Sequence, residues 1–215
     1  MRSAINLLVF IAILFSANIA EARKLEKMSS EEIKLLNLAQ DYLDKIKTIE
    51  ASFIQFNPGS DIANGVFLLS KPGKLKMSYS TPFRIDYYIN DNNLIQYDWD
   101  LDEVSRGSAP ENPLKILLYQ GLRLANNDLL EVADIIDESS NFNIYLVTRS
   151  EEITEISGMI LKFNKMPLEL SGVQRVSNDG KKTDITFSSV KINQPVDNSL
   201  LIFNRPKAKY PNSKN

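Results

Sequence analysis

Apolar residues return at helical spacing over residues 29–49, as Leu35, Leu36, Ala39, Tyr42, Leu43, Ile46 and Ile49, with lysines and aspartates on the opposite face. That period predicts an amphipathic helix. Ser29 with Glu32 has the spacing of a capping box, and Glu31 and Glu32 suit the positive end of a helix dipole. Such a stripe needs an apolar surface to lie on. From Glu50 the period falls to two. Phe53, Phe67, Leu69, Leu75, Met77, Tyr79, Ile85, Tyr87 and Ile89 are each separated from the next apolar partner by single residues. Turn-formers stand between the runs: Asn57-Pro58-Gly59, Pro72-Gly73, Thr81-Pro82 and Asn90-Asp91-Asn92. The pattern predicts a meander of short antiparallel strands, continued by Ile95, Tyr97 and Trp99 and by a short return strand from Val104.

The alternation then breaks. Asn112-Pro113-Leu114-Lys115-Ile116-Leu117-Leu118-Tyr119 offers an N-cap, an N1 proline and a dense apolar cluster, with Gly121 to end the helix. A second short helix is expected over Leu124 to Val132. Strands resume over Phe142 to Thr148, Ile156 to Phe163, Leu168 to Val176 and Lys182 to Ile192, with Asn178-Asp179-Gly180 as the hairpin turn between the last two. Leu201-Ile202-Phe203 closes the domain, and residues 207–215 read as a loose basic tail. About ten strands at regular spacing predict one sheet curled into a barrel or half-barrel, its concave face covered by the helices.

Composition narrows the chemistry. The 215 residues are 43% hydrophobic and 24% charged, with a net charge of −2. That length suits one full-sized domain, and the balance lacks the basic field that nucleic-acid binding needs. The chain contains neither cysteine nor histidine. Ser-His-Asp triads, Cys-His pairs and the common zinc sites are therefore excluded. A lipid hydrolase would depend on a Ser-Lys pair that no motif supports. Asp98, Asp100, Asp102 and Glu103 lack the spacing, glycine and terminal glutamate of a calcium loop, and read as solvated hairpin charge. No metal or other cofactor is expected, and the function expected is not enzymatic.

The N-terminus reads as a cleavable signal peptide over residues 1–22. Arg2 precedes the apolar run Leu7 to Phe15, and Ala20 and Ala22 fit a cleavage site before Arg23. The run is short for a ~20-residue membrane span. An exported protein, located in the periplasm, is the expectation, and without disulfides its core must supply stability unaided.

Leu43 to Gln55, and above all Gly65 to Pro82, resemble the first helix and strands of the outer-membrane lipoprotein carrier (LolA) family. Asp91 to Trp99, Asn112-Pro113-Leu114, Asn178 to Phe187 and Phe203 to Pro206 fit later segments of the same family, in the same order. The resemblance covers nearly the whole of residues 23–206. It implies a mainly β, α+β fold: an incomplete antiparallel β-barrel of about eleven strands with an amphipathic helical lid over an apolar cavity. It implies no cofactor. The implied partners are acylated lipoproteins, an inner-membrane ATP-binding cassette complex that releases them, and an outer-membrane acceptor; the carrier itself would be a monomer. Cavity-lining residues would be Phe53, Phe67, Leu69, Leu75, Met77, Tyr79, Ile85, Tyr87, Tyr97, Leu114 and Leu117. On pattern alone, the same stripe fits an ordinary packed core better than a cavity.

Two positions depart from the family. Lys71 stands where the family has an arginine that bonds lid carbonyls in the closed form, and Met77 stands where it has a tryptophan. A lysine is a rotatable point charge and not a planar fork, so as a lid latch it should hold several carbonyls less firmly. Met77 is a pliable apolar filler that suits an acyl-lined wall. The leading expectation is a periplasmic carrier of lipoprotein acyl chains. The runner-up is a periplasmic module on the same fold that senses lipids or proteins.

Overall fold

The computed structural model describes residues 27–59, 61–109, 115–118, 121, 123–125, 130–149 and 156–206. The expected signal peptide over residues 1–22, the expected tail from Lys207 and the Asn112-Pro113-Leu114 segment lie outside them. Helix α1 (Ser30–Lys45) opens on the expected capping box. The Ser29 backbone N–H donates to Glu32 at 2.7 Å, and the Glu32 N–H donates to the Ser29 hydroxyl at 3.2 Å. The buried stripe runs through Leu35, Leu36, Ala39, Tyr42 and Leu43, together with Gln40.

Eleven strands follow: β1 (Thr48–Phe56), β2 (Ile62–Ser70), β3 (Lys74–Thr81), β4 (Ile85–Asn90), β5 (Asn93–Asp98), β6 (Glu103–Ser108), β7 (Leu130–Asp137), β8 (Asn141–Thr148), β9 (Ile156–Lys165), β10 (Leu168–Ser177) and β11 (Lys182–Ile192). They form a single sheet in the order β6-β5-β4-β3-β2-β1-β11-β10-β9-β8-β7, antiparallel throughout. Its edges, β6 and β7, do not pair, so the barrel is incomplete. Helix α2 (Lys115–Leu118) lies between those edge strands in the chain, and a 3-10 helix (Asn198–Leu201) follows β11. Among the described residues no helix is long and apolar enough to cross a membrane.

Two expectations are corrected. The first helix stops at Lys45, well short of Ile49. Ile46 is extended (φ −72°, ψ 125°), and Asn193, just beyond β11, takes over the helix end. Its amide donates to the Lys45 carbonyl at 3.0 Å while its side-chain oxygen accepts from the Lys47 N–H at 2.7 Å. Pairing with β2 and β11 then draws Ile49 into β1, where it is 3% exposed. The second expected helix is absent from its C-terminal part, because Leu130, Glu131 and Val132 belong to β7. The register of β7 against β8 shifts between Val132 and Asp134, and Val132 and Ala133 are both buried. That irregularity breaks the period of two and imitates helical spacing.

The hydrophobic core joins α1 to the inward face of nearly the whole sheet. Tyr42 meets Phe163 edge-on at 5.9 Å between ring centroids, and Phe163 stacks on Phe142 at 5.0 Å. Gly65 is required by a close approach: a Cβ there would stand 1.9 Å from the Ser78 carbonyl oxygen and 3.0 Å from the Phe53 ring.

Candidate functional site

The strand registers divide the expected lining residues between the two faces of the sheet. Phe67 lies opposite Met77, Leu69 opposite Leu75, and Met77 in turn opposite Tyr87. Residues directly opposite share a face, and alternation carries that face to Tyr79, Ile85 and Ile89. Phe53 joins it against Phe187 of β11. Tyr97 does not. It pairs with Asp86, whose neighbours in β4 point inward, so Tyr97 is on the convex face and its assignment to the cavity is corrected. A run of alternating residues gives the period but not the phase. The phase of β5 was lost because Ile95 and Tyr97 look as suitable for the core as Leu94.

The inward face grades from packed to open. Phe53, Phe67, Leu69, Leu75, Met77 and Leu117 are buried. Leu114 lies outside the described residues. Tyr79, Ile85 and Tyr87 are only half-buried, and they line an open pocket of about 580 Å³ at the end of the sheet that carries the β1–β2 and β3–β4 hairpins. Gln55, Ala63 and Phe83 complete much of its wall. A row of edge-on aromatics leads from floor to mouth: Phe53 to Tyr79 at 5.0 Å, then Tyr79 to Tyr87 at 5.8 Å.

Polar groups gather at that mouth. The Tyr79 hydroxyl donates to the Gln55 side-chain oxygen at 2.8 Å, and the Gln55 amide donates to the Asn57 side-chain oxygen at 2.7 Å. Burial pushes the Tyr79 phenol up to about 12, helped by Tyr87, while Arg175 pulls the other way. Burial likewise raises Tyr87, with Asp98 adding to the effect. Arg175 shares the inward parity of Val173 and lies opposite the buried Met159. Gln55 is the residue the sequence argument passed over. It continues the inward positions Ala51 and Phe53, and a polar side chain at an inward position was the available signal.

At the other end of the sheet, the β2–β3 turn holds both helices. The Lys71 ammonium donates to the Leu43 carbonyl in the last turn of α1 at 2.8 Å, and burial lowers its pKa. The Gly73 N–H donates to the Leu118 carbonyl of α2 at 2.9 Å. The carbonyl that meets Lys71 is thus on α1, and the bond to α2 is made by backbone. Gln40, buried on α1, accepts from the Leu124 N–H at 2.8 Å and ties the chain after α2 to α1.

The carboxylates of the β5–β6 turn have protein partners. Asp98 accepts the N–H groups of Asp100 and Leu101, Asp100 pairs with Arg84, and Asp102 accepts from Tyr97 and pairs with Arg205. Among the described residues no group of three or more acidic side chains is placed to hold a metal ion.

Comparison with known proteins agrees with this architecture. The profile of the family described as outer membrane lipoprotein carrier protein LolA matches residues 44–204. An outer-membrane lipoprotein carrier protein of Methylococcus capsulatus is 28% identical over 179 residues, covering 78% of this chain and 82% of that protein. An uncharacterised protein of Rickettsia prowazekii is 28% identical over 169 residues, covering 78% and 76%. The crystal structure of MucB aligns with a TM-score of 0.50 at 8% identity, over 82% of this chain and 64% of that one, which is a likeness of fold.

Proposed function

The chain belongs to the LolA family of outer membrane lipoprotein carrier proteins, and from that premise we propose that it carries the acyl chains of lipoproteins through the periplasm to the outer membrane. The single observation that supports this most is the graded inward face. It is apolar from its core to the edge of the mouth, covered by helices held at a few carbonyls, and open at one end as a pocket of about 580 Å³ with polar groups at its rim. That volume lies within the roughly 300–1,000 Å³ usual for ligand pockets.

Most of the interior is filled by the protein's own side chains, so this is a closed form. Loading more than a short stretch of hydrocarbon requires α1 and α2 to move off the sheet. Acyl burial offers about 0.8 kcal/mol per CH₂, so a C16 chain fully enclosed would contribute on the order of 10 kcal/mol. Re-exposing the apolar face of α1 opposes that gain, which keeps cargo releasable. The lid latch in this reading is shared between Lys71 and the Gly73 backbone.

The apolar run from Leu7 to Phe15 and the small residues Ala20 and Ala22 support export with cleavage before Arg23. A releasing ATP-binding cassette complex in the inner membrane and an acceptor at the outer membrane are the partners this reading needs. Expression of the full chain with its leader, recovery from the periplasm and mass spectrometry of co-purifying material tests it. Triacylated lipoproteins bound in stoichiometric amount are expected. Recovery with protein partners that carry no acyl group would overturn the carrier and favour a sensing module.

A further inference from the structure

We propose that the pocket mouth is a preformed site for the ester carbonyls of a glyceride-type linkage, with the Tyr87 hydroxyl and the Gln55 amide as donors. This rests on the carrier reading and specifies which part of the cargo the mouth holds. Hydrocarbon alone needs no polar group, yet the wall of this pocket places donors where the apolar face ends. Tyr87 lines the pocket edge-on to Tyr79, and among the described residues its hydroxyl makes no hydrogen bond. The Gln55 oxygen is occupied by the Tyr79 hydroxyl, which fixes the amide so that its nitrogen is the free end. One of its hydrogens goes to Asn57 and the second is available.

Charge around the mouth is mixed: Asp61 contributes to the wall, and Arg175 on the inward face is near enough to act on Tyr79, so neither sign of charge is favoured. An ester carbonyl accepts hydrogen bonds without bringing charge. The sequence of contacts also matches the molecule. An ester group seated at Tyr87 and Gln55 would point its hydrocarbon past Tyr79 toward Phe53, along the aromatic row. The mouth is open while α1 and α2 remain in place, so the linkage can be held before the helices move.

The test compares binding of three fluorescent-displacement ligands to the full mature chain: a diacyl lipopeptide with ester links, a dialkyl lipopeptide of equal chain length with ether links, and a free diacylglycerol. Wild type should bind the ester lipopeptide about tenfold more tightly than the ether one. In the Tyr87→Phe, Gln55→Met double variant this preference should fall to within about twofold. Matching circular dichroism and thermal unfolding show that the variant is folded, and the ester-to-ether affinity ratio is the quantity compared. Tyr87→Phe alone, which keeps the ring, should lose part of the preference. Diacylglycerol bound with the same dependence on Tyr87 and Gln55 supports ester recognition and identifies a free lipid as a second source. Equal binding of ester and ether ligands by wild type, or a preference that survives in the double variant, overturns the mouth site alone. Failure of every lipid to bind overturns the carrier reading with it.

Discussion

The two ends of the sheet bury opposite faces. In β7 to β10 the inward face is solid core: Phe142, Ile144, Leu161 and Phe163 are fully buried under α1. Beyond the buried Leu75 and Met77 of β3, the inward residues Tyr79, Ile85 and Tyr87 are half-open, and in β4 and β5 it is the outward residues Asp86, Tyr88 and Tyr97 that are buried. What covers them is the C-terminal segment. Phe203 packs against Tyr88 and Tyr97, each at 5.5 Å, and the Arg106 guanidinium lies over the Phe203 ring at 5.8 Å from its centroid. Asn90 donates to the Leu201 carbonyl at 3.2 Å, and Lys76 pairs with the buried Asp86 at 3.1 Å. Alternation decides which residues share a face; what lies on that face decides whether it is core or surface. A wing that keeps its inner face free for a ligand needs support from behind.

The sharpest way to break this comparison is to weaken each wing's own packing. Phe163→Ala removes a ring that both Phe142 and Tyr42 touch, and should cost about 3–5 kcal/mol in urea unfolding. A loss under 1 kcal/mol would mean that the β7 to β10 wing is not the stabilising half. Phe203→Ala strikes the support of the other wing. Because that ring is only partly buried, the expected cost is smaller, about 1–3 kcal/mol. Hydrogen exchange should locate it: faster exchange in β4, β5 and β6 with β8 and β9 unchanged. Uniform acceleration across the sheet would show that the C-terminal segment is ordinary core.

How much of this could be read from the residues follows from the same distinction. The strands with strict alternation, such as β3 and β8, were legible with their boundaries nearly right. β7 was not, because its register shift places Val132 and Ala133 side by side in the interior. The end of α1 was not, because it is set by Asn193, a residue distant in the chain. Tyr97 falls on the other face because nothing local distinguishes an aromatic that lines a pocket from one that the C-terminal segment covers. The pocket mouth was half-legible: Tyr79, Ile85 and Tyr87 were named, while Gln55 and Phe83 became visible only once the hairpins were brought together.

Alkaline titration probes the open wing more gently. The Tyr79 phenol is raised from its ordinary value of 10.0 to about 12, so the folded state holds this proton more tightly than the unfolded chain does. The stability it contributes is complete below pH 10 and is lost as pH rises toward about 12. Tyr79→Phe should remove that part of the alkaline loss while leaving stability near neutrality within about 1 kcal/mol, since only the bond to Gln55 disappears. Tyrosinate absorbance followed with denaturant midpoints across this range checks it. An identical alkaline profile in the variant would show that the Tyr79 environment is as wet as the outer surface.

The smallest effect is expected at Lys71, where two terms oppose. Its ammonium donates to the Leu43 carbonyl, but burial disfavours the charge and lowers its pKa. A lysine whose proton is held less tightly in the folded state carries a cost below its folded pKa, and that cost is relieved as pH rises toward the ordinary 10.5. Lys71→Met removes both the bond and the buried charge, and the Leu43 carbonyl keeps a weaker donor in the Ile46 N–H at 3.3 Å. Stability should therefore change by less than about 1 kcal/mol in either direction. Mobility of the helix end should respond more. Lipid uptake by Lys71→Met is expected to be a few-fold faster than wild type, on the order of the single bond lost, with Lys71→Arg slower because a planar fork can hold the carbonyl and a neighbour together. Equal uptake rates in all three proteins would mean that α1 does not lift from this end, leaving the Gly73 bond to α2 as the point where the cover opens.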